Sequence, residues 1–345
     1  MKIETFNTMS QPRLKQILSD MKKVKLGFVG DICIDIYWFA DMRLSELSRE
    51  TPHYPLPIVE ERYQLGAGGN VLANLSALGL QKILAVSVIG DDWRGTLVKQ
   101  ELAKLGIDNG YITQRSNSVT NAYCKPIKIG LSSVMAESAR IDFTSEPIDE
   151  TTENLIAKNV VEMANQVDVI CVSDQFSNGI VTEKVKKVLE GLSGKTIIVD
   201  SRDRIGSYQN AILKPNEIEL VKAASKITGV SAEKYTQKGV DGLIEAAQVL
   251  SERKNCHVSA TLGPEGNMQI TSQSAFHIPS KPVSPPLDIC GAGDSFLSAY
   301  SAALAAGASA CECGYIGNLA SGVTIKKLNC TGSATSEEIL QEYLR

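Results

Sequence analysis

A chain of 345 residues with 43% hydrophobic and 21% charged residues can bury a sizeable core, which excludes compositional disorder and suits one large α/β domain carrying an insertion. Its 35 basic and 39 acidic residues leave a formal charge of −4 and no long Lys/Arg run, so no nucleic-acid partner is expected. No stretch reaches the roughly 18 apolar residues of a membrane span, and the start Met1-Lys2-Ile3-Glu4-Thr5 has no apolar targeting core; a cytoplasmic protein with no membrane partner is expected.

The spacing of Leu14, Ile17, Leu18 and Met21 predicts a helix over 11–23, and a short buried strand follows over 25–31. Between 36 and 64 aromatic residues and prolines accumulate (Tyr37, Trp38, Phe39, Pro52, Pro55, Pro57), which reads as an excursion from the core. Helices are predicted over 70–79 and 93–105, ending near Gly79 and Gly106, with an apolar strand over 83–89 between them. Residues 111–145 are strand-like and loop-rich, and are expected to pair with the earlier excursion as a small β-lid, with insertions spanning 36–64 and 109–146 of a single domain. From 152 onward helices over 152–165, 181–191, 217–224 and 240–253 alternate with strands over 167–173, 196–200, 211–214 and 257–262. Such alternation implies an α/β fold whose parallel sheet is covered by helices on both faces.

Eight cysteines are scattered at positions 33, 124, 171, 256, 290, 311, 313 and 330, several in apolar runs, and read as small buried hydrophobes of a reducing compartment. Three histidines, at 53, 257 and 277, give no structural zinc spacing.

The most informative stretch is Asp288-Ile289-Cys290-Gly291-Ala292-Gly293-Asp294, which opens an Ala-rich helix stopped by Gly307. Residues without bulky side chains at a helix start let backbone N–H groups approach an anion, where the helix dipole adds about half a positive charge. An acidic side chain there would repel a merely bound phosphate, so Asp294 makes sense as a base facing an incoming hydroxyl, the alternative being an ordinary N-cap. A second segment, Gly66-Ala67-Gly68-Gly69-Asn70, fails the dinucleotide pattern because Val71 stands where a third glycine is needed and no clean buried strand leads into it. Its amides, with Asn70 and the carboxylate of Asp35, suit a polyol better, beside the plainer reading of a bare helix-start turn. Gly194-Lys195-Thr196 is no P-loop, since Leu189 occupies the first glycine position. Lys214-Pro215-Asn216-Glu217-Ile218-Glu219 and Thr261-Leu262-Gly263-Pro264-Glu265-Gly266 each sit at a predicted strand end, where open α/β sheets bind ligands. Asn216 and Glu219 suit Mg²⁺ held partly through water, or equally a capped helix start.

Taken in this order and spacing, these segments resemble the ribokinase-like (PfkB) carbohydrate kinases over about residues 24–340. Gly66 to Gly79 looks like the family's N-terminal glycine-rich signature. Asp288 to Asp294 looks like its Asp-Thr-x-Gly-Ala-Gly-Asp signature, with Ile289 in place of Thr, and Asn216-x-x-Glu219 stands where the magnesium motif lies. Within the family the chain is most similar to the heptose 7-phosphate kinase branch, through Asp35-Ile36-Tyr37-Trp38, Ser48-Arg49-Glu50-Thr51-Pro52, Glu61-Arg62, Arg140-Ile141-Asp142-Phe143 and Ser173-Asp174. It departs from that branch at Gln175-Phe176-Ser177-Asn178-Gly179, which lacks a tyrosine and a lysine, and at Thr120-Asn121-Ala122-Tyr123-Cys124-Lys125, which lacks an arginine.

The resemblance implies a three-layer α/β/α sandwich with a β-lid and transfer of the ATP γ-phosphate to a sugar or sugar phosphate, D-glycero-D-manno-heptose 7-phosphate being the acceptor of that branch. It implies Asp294 as base, the amides of Gly291, Ala292 and Gly293 as anion hole, and Asp35, Gly66, Gly68, Gly69 and Asn70 at the sugar. Lys214, Asn216, Thr261, Gly263, Gly266 and Asn318 would face the nucleotide, Asn216 and Glu219 the Mg²⁺, and Arg140 with Arg49 a substrate phosphate. A monovalent cation is a further candidate, and the lids of the family pair into homodimers. No nucleotidyltransferase activity is expected, because no His-x-Gly-His motif follows His277. A kinase for another sugar or a nucleoside, and a catalytically silent sugar-binding protein on the same fold, are the competing readings; a dehydrogenase loses its support with the failed dinucleotide pattern.

Overall fold

The computed structural model describes residues 3–130, 132, 134–328 and 331–345. A central sheet of ten strands runs in the spatial order Glu4–Thr5, Ala275–Ile278, Asn267–Ile270, Val258–Thr261, Ile212–Leu213, Thr196–Ser201, Val169–Asp174, Lys25–Gly30, Lys82–Gly90 and Ile112–Arg115. The run from Val258–Thr261 to Ile112–Arg115 is parallel, and Asn267–Ile270 pairs antiparallel with both its neighbours.

Alternation along the inner strands splits their side chains between two cores. Leu26, Phe28 and Cys171 join the helices Gln11–Met21, Gly68–Ala77, Ala292–Ala305 and Ala310–Thr324 on one face. Val29, Ile170 and Val172 join Glu150–Ala164, Glu183–Glu190, Glu217–Thr228 and Val240–Lys254 on the other. Strands buried on both faces read as continuous apolar runs, which is why the sequence marks them well. Asp92, Asp149, Thr182 and Ser309 each accept a backbone N–H in the first turn of the helix they start, removing donors that would otherwise be orphaned.

A second sheet lies beside the first, in the order Ile58–Ala67, Ile32–Asp41, Ala122–Ile129, Met135–Glu137, with Ile141–Phe143 also on Ala122–Ile129. Its inner face (Ile32, Ile34, Ile36, Leu65, Ala122, Cys124) belongs to the first core. Its other face is polar. The register places Asp35 beside Gln64 and Tyr123, and Tyr37 beside Arg62 and Lys125, as same-face neighbours.

The boundaries differ from expectation in several places. Ile112–Arg115 extends the main sheet as the parallel neighbour of Lys82–Gly90, and the second sheet begins at Ile32, within the chain turn that follows the Lys25–Gly30 strand. A strand, Ile58–Ala67, does run into the glycine segment, but it is exposed over its first five residues and belongs to the second sheet, so the Rossmann strand is not restored. The strands Asn267–Ile270 and Ala275–Ile278 and the helix Ser336–Leu344 escaped the sequence reading, the strands being only four residues each. Of the seven cysteines described, five are buried, Cys311 is half-buried and Cys290 is exposed in the loop before Gly291; Cys330 lies outside the described residues.

Candidate active site

The C-terminal ends of the parallel strands converge on one edge, carrying Asp31, Asp174, Arg202, Lys214 and Thr261 just at or beyond their strands. The helix Ala292–Ala305 starts at this edge. Its cap is Gly291 at φ 79°, which an L side chain rarely adopts, and a Cβ there would stand 2.7 Å from the Asn70 amide nitrogen. Asp294 is therefore the third residue of the helix and not its N-cap. Asn70 Nδ2 donates to Asp294 Oδ2 at 2.6 Å. Asn70 is itself anchored: Asn74 Nδ2 donates to its carbonyl at 2.9 Å, Ser295 Oγ to Asn74 Oδ1 at 2.7 Å, and Thr324 Oγ1 to Ser295 Oγ at 2.7 Å. Burial raises the Asp294 carboxyl to about 6, against the Asn70 hydrogen bond, with the charge of Asp200 adding to the rise and Lys214 and Arg202 opposing it.

The expected anion hole is narrower than three amides. The Ala292 N–H donates back to the Ile289 carbonyl at 3.2 Å, because the tight turn before the helix folds it there, while the amides of Gly291 and Gly293 have no acceptor among the described residues. An ideal Cβ on Gly293 would lie 3.7 Å from Lys214 Nζ, so a buried cation borders the same helix start. Lys214 pairs with Asp200 at 3.1 Å. Burial works to lower the Lys214 pKa, but Asp200 and Glu219 outweigh it and hold the ammonium above its ordinary value.

Asn216 and Glu219 form a capping box: Glu219 N–H donates to Asn216 Oδ1 and Asn216 N–H to Glu219 Oε2, both at 2.9 Å. Burial, followed by the charge of Asp200, raises the Glu219 carboxyl to about 7, with Lys214 opposing. Two carboxylates held close and poorly solvated are hard oxygen donors that a divalent cation would relieve. Thr261 lies beside Asn216, its N–H donating to the Pro215 carbonyl at 3.0 Å. Gly263 and Gly266 bracket a single 3₁₀ turn beyond it. The Asn318 amide is already used, accepting from Asn267 Nδ2 at 2.9 Å and donating to the Ile278 carbonyl at 2.9 Å, so it clamps a helix to the sheet edge.

On the polar face of the second sheet, Asp35 Oδ2 pairs with Lys125 Nζ at 2.9 Å, and Lys125 also reaches the Tyr37 hydroxyl at 3.2 Å. Burial works against the Lys125 charge, but Asp35 and Tyr37 hold its pKa above the lysine norm. Asp35 Oδ1 and its neighbour Gln64 Oε1 are buried without a partner among the described residues. Gly66 admits this carboxylate, since a Cβ there would stand 2.8 Å from Asp35 Oδ1. The Gly68 amide is not free: it donates to the Asp31 carbonyl at 2.8 Å, and Gly69 packs tightly on Leu65. Cys290, exposed in its loop, feels the charges of both groups: partial desolvation raises its thiol, with Asp288, Asp35 and Asp294 adding and Lys125 opposing. Arg140 closes its guanidinium on Asp142 at 2.6 and 2.7 Å and lies over the Tyr123 ring at 4.2 Å; Arg49 is exposed in the loop of residues 45–57, with no ion pair among the described residues.

Lys125, Asp200, Arg202 and Asp31 were missed by the sequence reading. Asp31 is buried, accepting from the N–H groups of Gln175, Phe176 and Ile180, each at 2.8 Å. Only the two-residue period of polar residues along the strands hinted at Lys125, and only once its pairing with Ile32–Asp41 is known.

The model of the pfkB family of carbohydrate kinases matches residues 28–337. The bifunctional protein HldE of a Nitratiruptor species is 28% identical over 329 residues, 94% of this chain and 65% of that protein, so the chain spans just under two thirds of this relative's length. Ribokinase from Thermotoga maritima matches with a TM-score of 0.66 at 21% identity, over 93% of this chain and 100% of that one. Phosphofructokinase-2 from Escherichia coli, solved with fructose-6-phosphate, matches with a TM-score of 0.69 at 18% identity, over 93% and 98%. These likenesses share the three-layer α/β/α architecture, and no described helix is long and apolar enough to cross a membrane. With the match running through both glycine segments and Asp294, the chain belongs to the pfkB family of carbohydrate kinases and is an ATP-dependent sugar kinase.

Proposed function

We propose that the chain transfers the γ-phosphate of ATP to a hydroxyl of a sugar phosphate, D-glycero-D-manno-heptose 7-phosphate, with Asp294 as general base. The observation that carries this reading is the carboxylate of Asp294 held by a neutral donor, Asn70, at a glycine-capped helix start bordered by Lys214. A base raised to about 6 is ionised at neutral pH yet basic enough to take a hydroxyl proton as the oxygen attacks. Asn70 orients its oxygen, while the free amides of Gly291 and Gly293 and the helix dipole face the charge that develops on the transferred phosphoryl group. Lys214 adds a fixed positive charge beside them. Residues Lys214 to Glu219 and Thr261 to Gly266 line the strand-end edge where the nucleotide would lie.

Glu219 and Asn216, with Asp200 facing them, would hold a Mg²⁺ partly through water; when bound, it neutralises phosphate charge. Asp35 offers a fixed acceptor for a sugar hydroxyl through its unpartnered oxygen, and Gln64 and Asn70 add further polar contacts. The second sheet serves as a lid that excludes water from the γ-phosphate, and two such sheets form a homodimer in the cytoplasm. An ADP-release assay over sugars and sugar phosphates tests the proposal. Turnover with the heptose 7-phosphate above that with free sugars supports it, and release of ADP independent of any acceptor contradicts it.

A further inference from the structure

A cavity of about 240 Å³ lies between the polar face of the second sheet and the loops after Val169–Asp174 and Thr196–Ser201. Tyr123 and Phe143 wall it on one side, Gln175, Phe176 and Asn178 on another, and Arg202 with Asp203 on a third. Tyr123 meets Phe176 edge to face at 6.4 Å, an aromatic contact that links the second sheet to the loop after Val169–Asp174. Its walls are fixed from behind. The Asp31 carboxylate takes three N–H groups of the loop 175–180 at 2.8 Å each, and Asp174 accepts from Ser201 Oγ at 2.6 Å and the Tyr208 hydroxyl at 2.8 Å and pairs with Arg204.

Arg202 is the unusual group in this wall. It is exposed, and its guanidinium has neither an ion pair nor a hydrogen bond among the described residues. The acids next to it are occupied elsewhere: Asp203 pairs with Lys222 at 2.6 Å, and Asp174 with Arg204. Its backbone is held nonetheless, the N–H donating to the Asp174 carbonyl at 3.1 Å. Its charge acts both on Tyr123, which walls the cavity, and on Asp294. Arg140, the other arginine near Tyr123, has its planar fork closed on Asp142. A guanidinium binds a phosphate monoester through the same two parallel N–H groups that Arg140 gives to Asp142, so Arg140 would have to break that pair, whereas Arg202 has nothing to break.

We propose that Arg202 recognises the phosphate already carried by the acceptor, which occupies this cavity while the sugar's hydroxyl reaches Asp294, and that Arg140 only shapes the rim. The inference rests on the sugar-phosphate reading above and names its specificity residue. Because Arg202 supports no other side chain, its replacement leaves the fold in place.

The test is steady-state kinetics of the full chain, wild type, Arg202→Ala, Arg202→Lys and Arg140→Ala, with heptose 7-phosphate, free heptose and ATP as varied substrates. Arg202→Ala is expected to raise KM for heptose 7-phosphate roughly 30- to 100-fold, the loss of a charge-assisted contact. KM for ATP and kcat/KM for free heptose should stay within about threefold, Arg202→Lys should recover part of the loss, and Arg140→Ala should stay within about threefold throughout. A fall in kcat with every acceptor would place Arg202 at the transferred phosphoryl group instead and overturn the inference, as would an unchanged KM or a KM effect carried by Arg140→Ala. A wild-type enzyme that phosphorylates free heptose but no sugar phosphate overturns the sugar-phosphate reading and the inference with it; a wild type active on heptose 7-phosphate with an indifferent Arg202→Ala overturns the inference alone.

Discussion

Asp294 and Asp35 are the two carboxylates of the proposed site, and they are held in opposite ways. Asp294 is gripped by a neutral amide that is itself tied through Asn74 and Ser295 to Thr324. Asp35 is ion-paired to Lys125 through one oxygen and leaves the other without a partner. Burial raises the Asp294 carboxyl to about 6 against its one neutral hydrogen bond, whereas the lysine at Asp35 fixes one carboxylate oxygen in place. In the proposed reading the Asp294 corner takes the proton, and the Asp35 corner offers its unpartnered oxygen to the acceptor.

The strongest way to break this comparison is to remove the base. Asp294→Asn is expected to lower kcat by roughly 10²–10⁴ while KM for ATP changes only a few-fold. Near-normal turnover would transfer the base role elsewhere. Asp35→Ala should act on the other corner, raising acceptor KM by roughly 10- to 100-fold with ATP KM unchanged; equal effects on both substrates would mean that Asp35 holds the fold and not the sugar.

Titration sharpens the distinction. With the Asp294 carboxyl raised to about 6, kcat/KM should climb as pH rises through 6 and level off above it, and a profile flat from pH 5 to 8 would count against Asp294 as base. The same shift has a stability consequence. A carboxyl whose folded pKa lies above its unfolded value is stabilising when protonated, and that contribution is lost as pH rises through about 6. Asp294→Asn, whose amide can still accept from Asn70, should therefore be more stable than wild type at pH 8, on the order of 1 kcal/mol, with the difference vanishing toward pH 4. Thermal melts at the two pH values read this directly.

The smallest expected effect concerns motion. If the second sheet closes over the acceptor, backbone amides of Ile58–Ala67 and Ala122–Ile129 should gain protection from hydrogen exchange with acceptor bound and much less with ATP alone. Val169–Asp174, buried on both faces of the main sheet, should not change. Identical exchange with and without acceptor would make the second sheet a fixed part of the fold.

What the sequence disclosed followed from how local each feature is. Gly291 and Asp294 share one helix start, and Asn216 with Glu219 one capping box, so their pattern survives in a short stretch of chain. The Asn216–Glu219 pattern could not separate capping from metal binding, because the same spacing serves both. The buried parallel strands announced themselves as apolar runs. Lys125 and Asp35 stand 90 positions apart, and meet only because Ile32–Asp41 pairs with Ala122–Ile129. Asp200 and Lys214 meet across adjacent strand ends, and Arg202 was hidden for a related reason: what distinguishes it is the distant engagement of its neighbours with Lys222 and Arg204. Arg140 shows the converse: its partner Asp142 is two residues away on an extended segment, where like-facing side chains pair readily, so the engagement of its guanidinium is local.

The most direct test of the account follows the phosphorus itself. Wild-type protein with ATP, Mg²⁺ and heptose 7-phosphate, monitored by ³¹P NMR, should convert the acceptor's single phosphate resonance into two sugar-phosphate resonances as ADP appears in equal amount, and Asp294→Asn should show neither change on the same timescale. ADP accompanied only by inorganic phosphate, or an acceptor resonance that stays single while ADP accumulates, would contradict transfer to a sugar phosphate by this site.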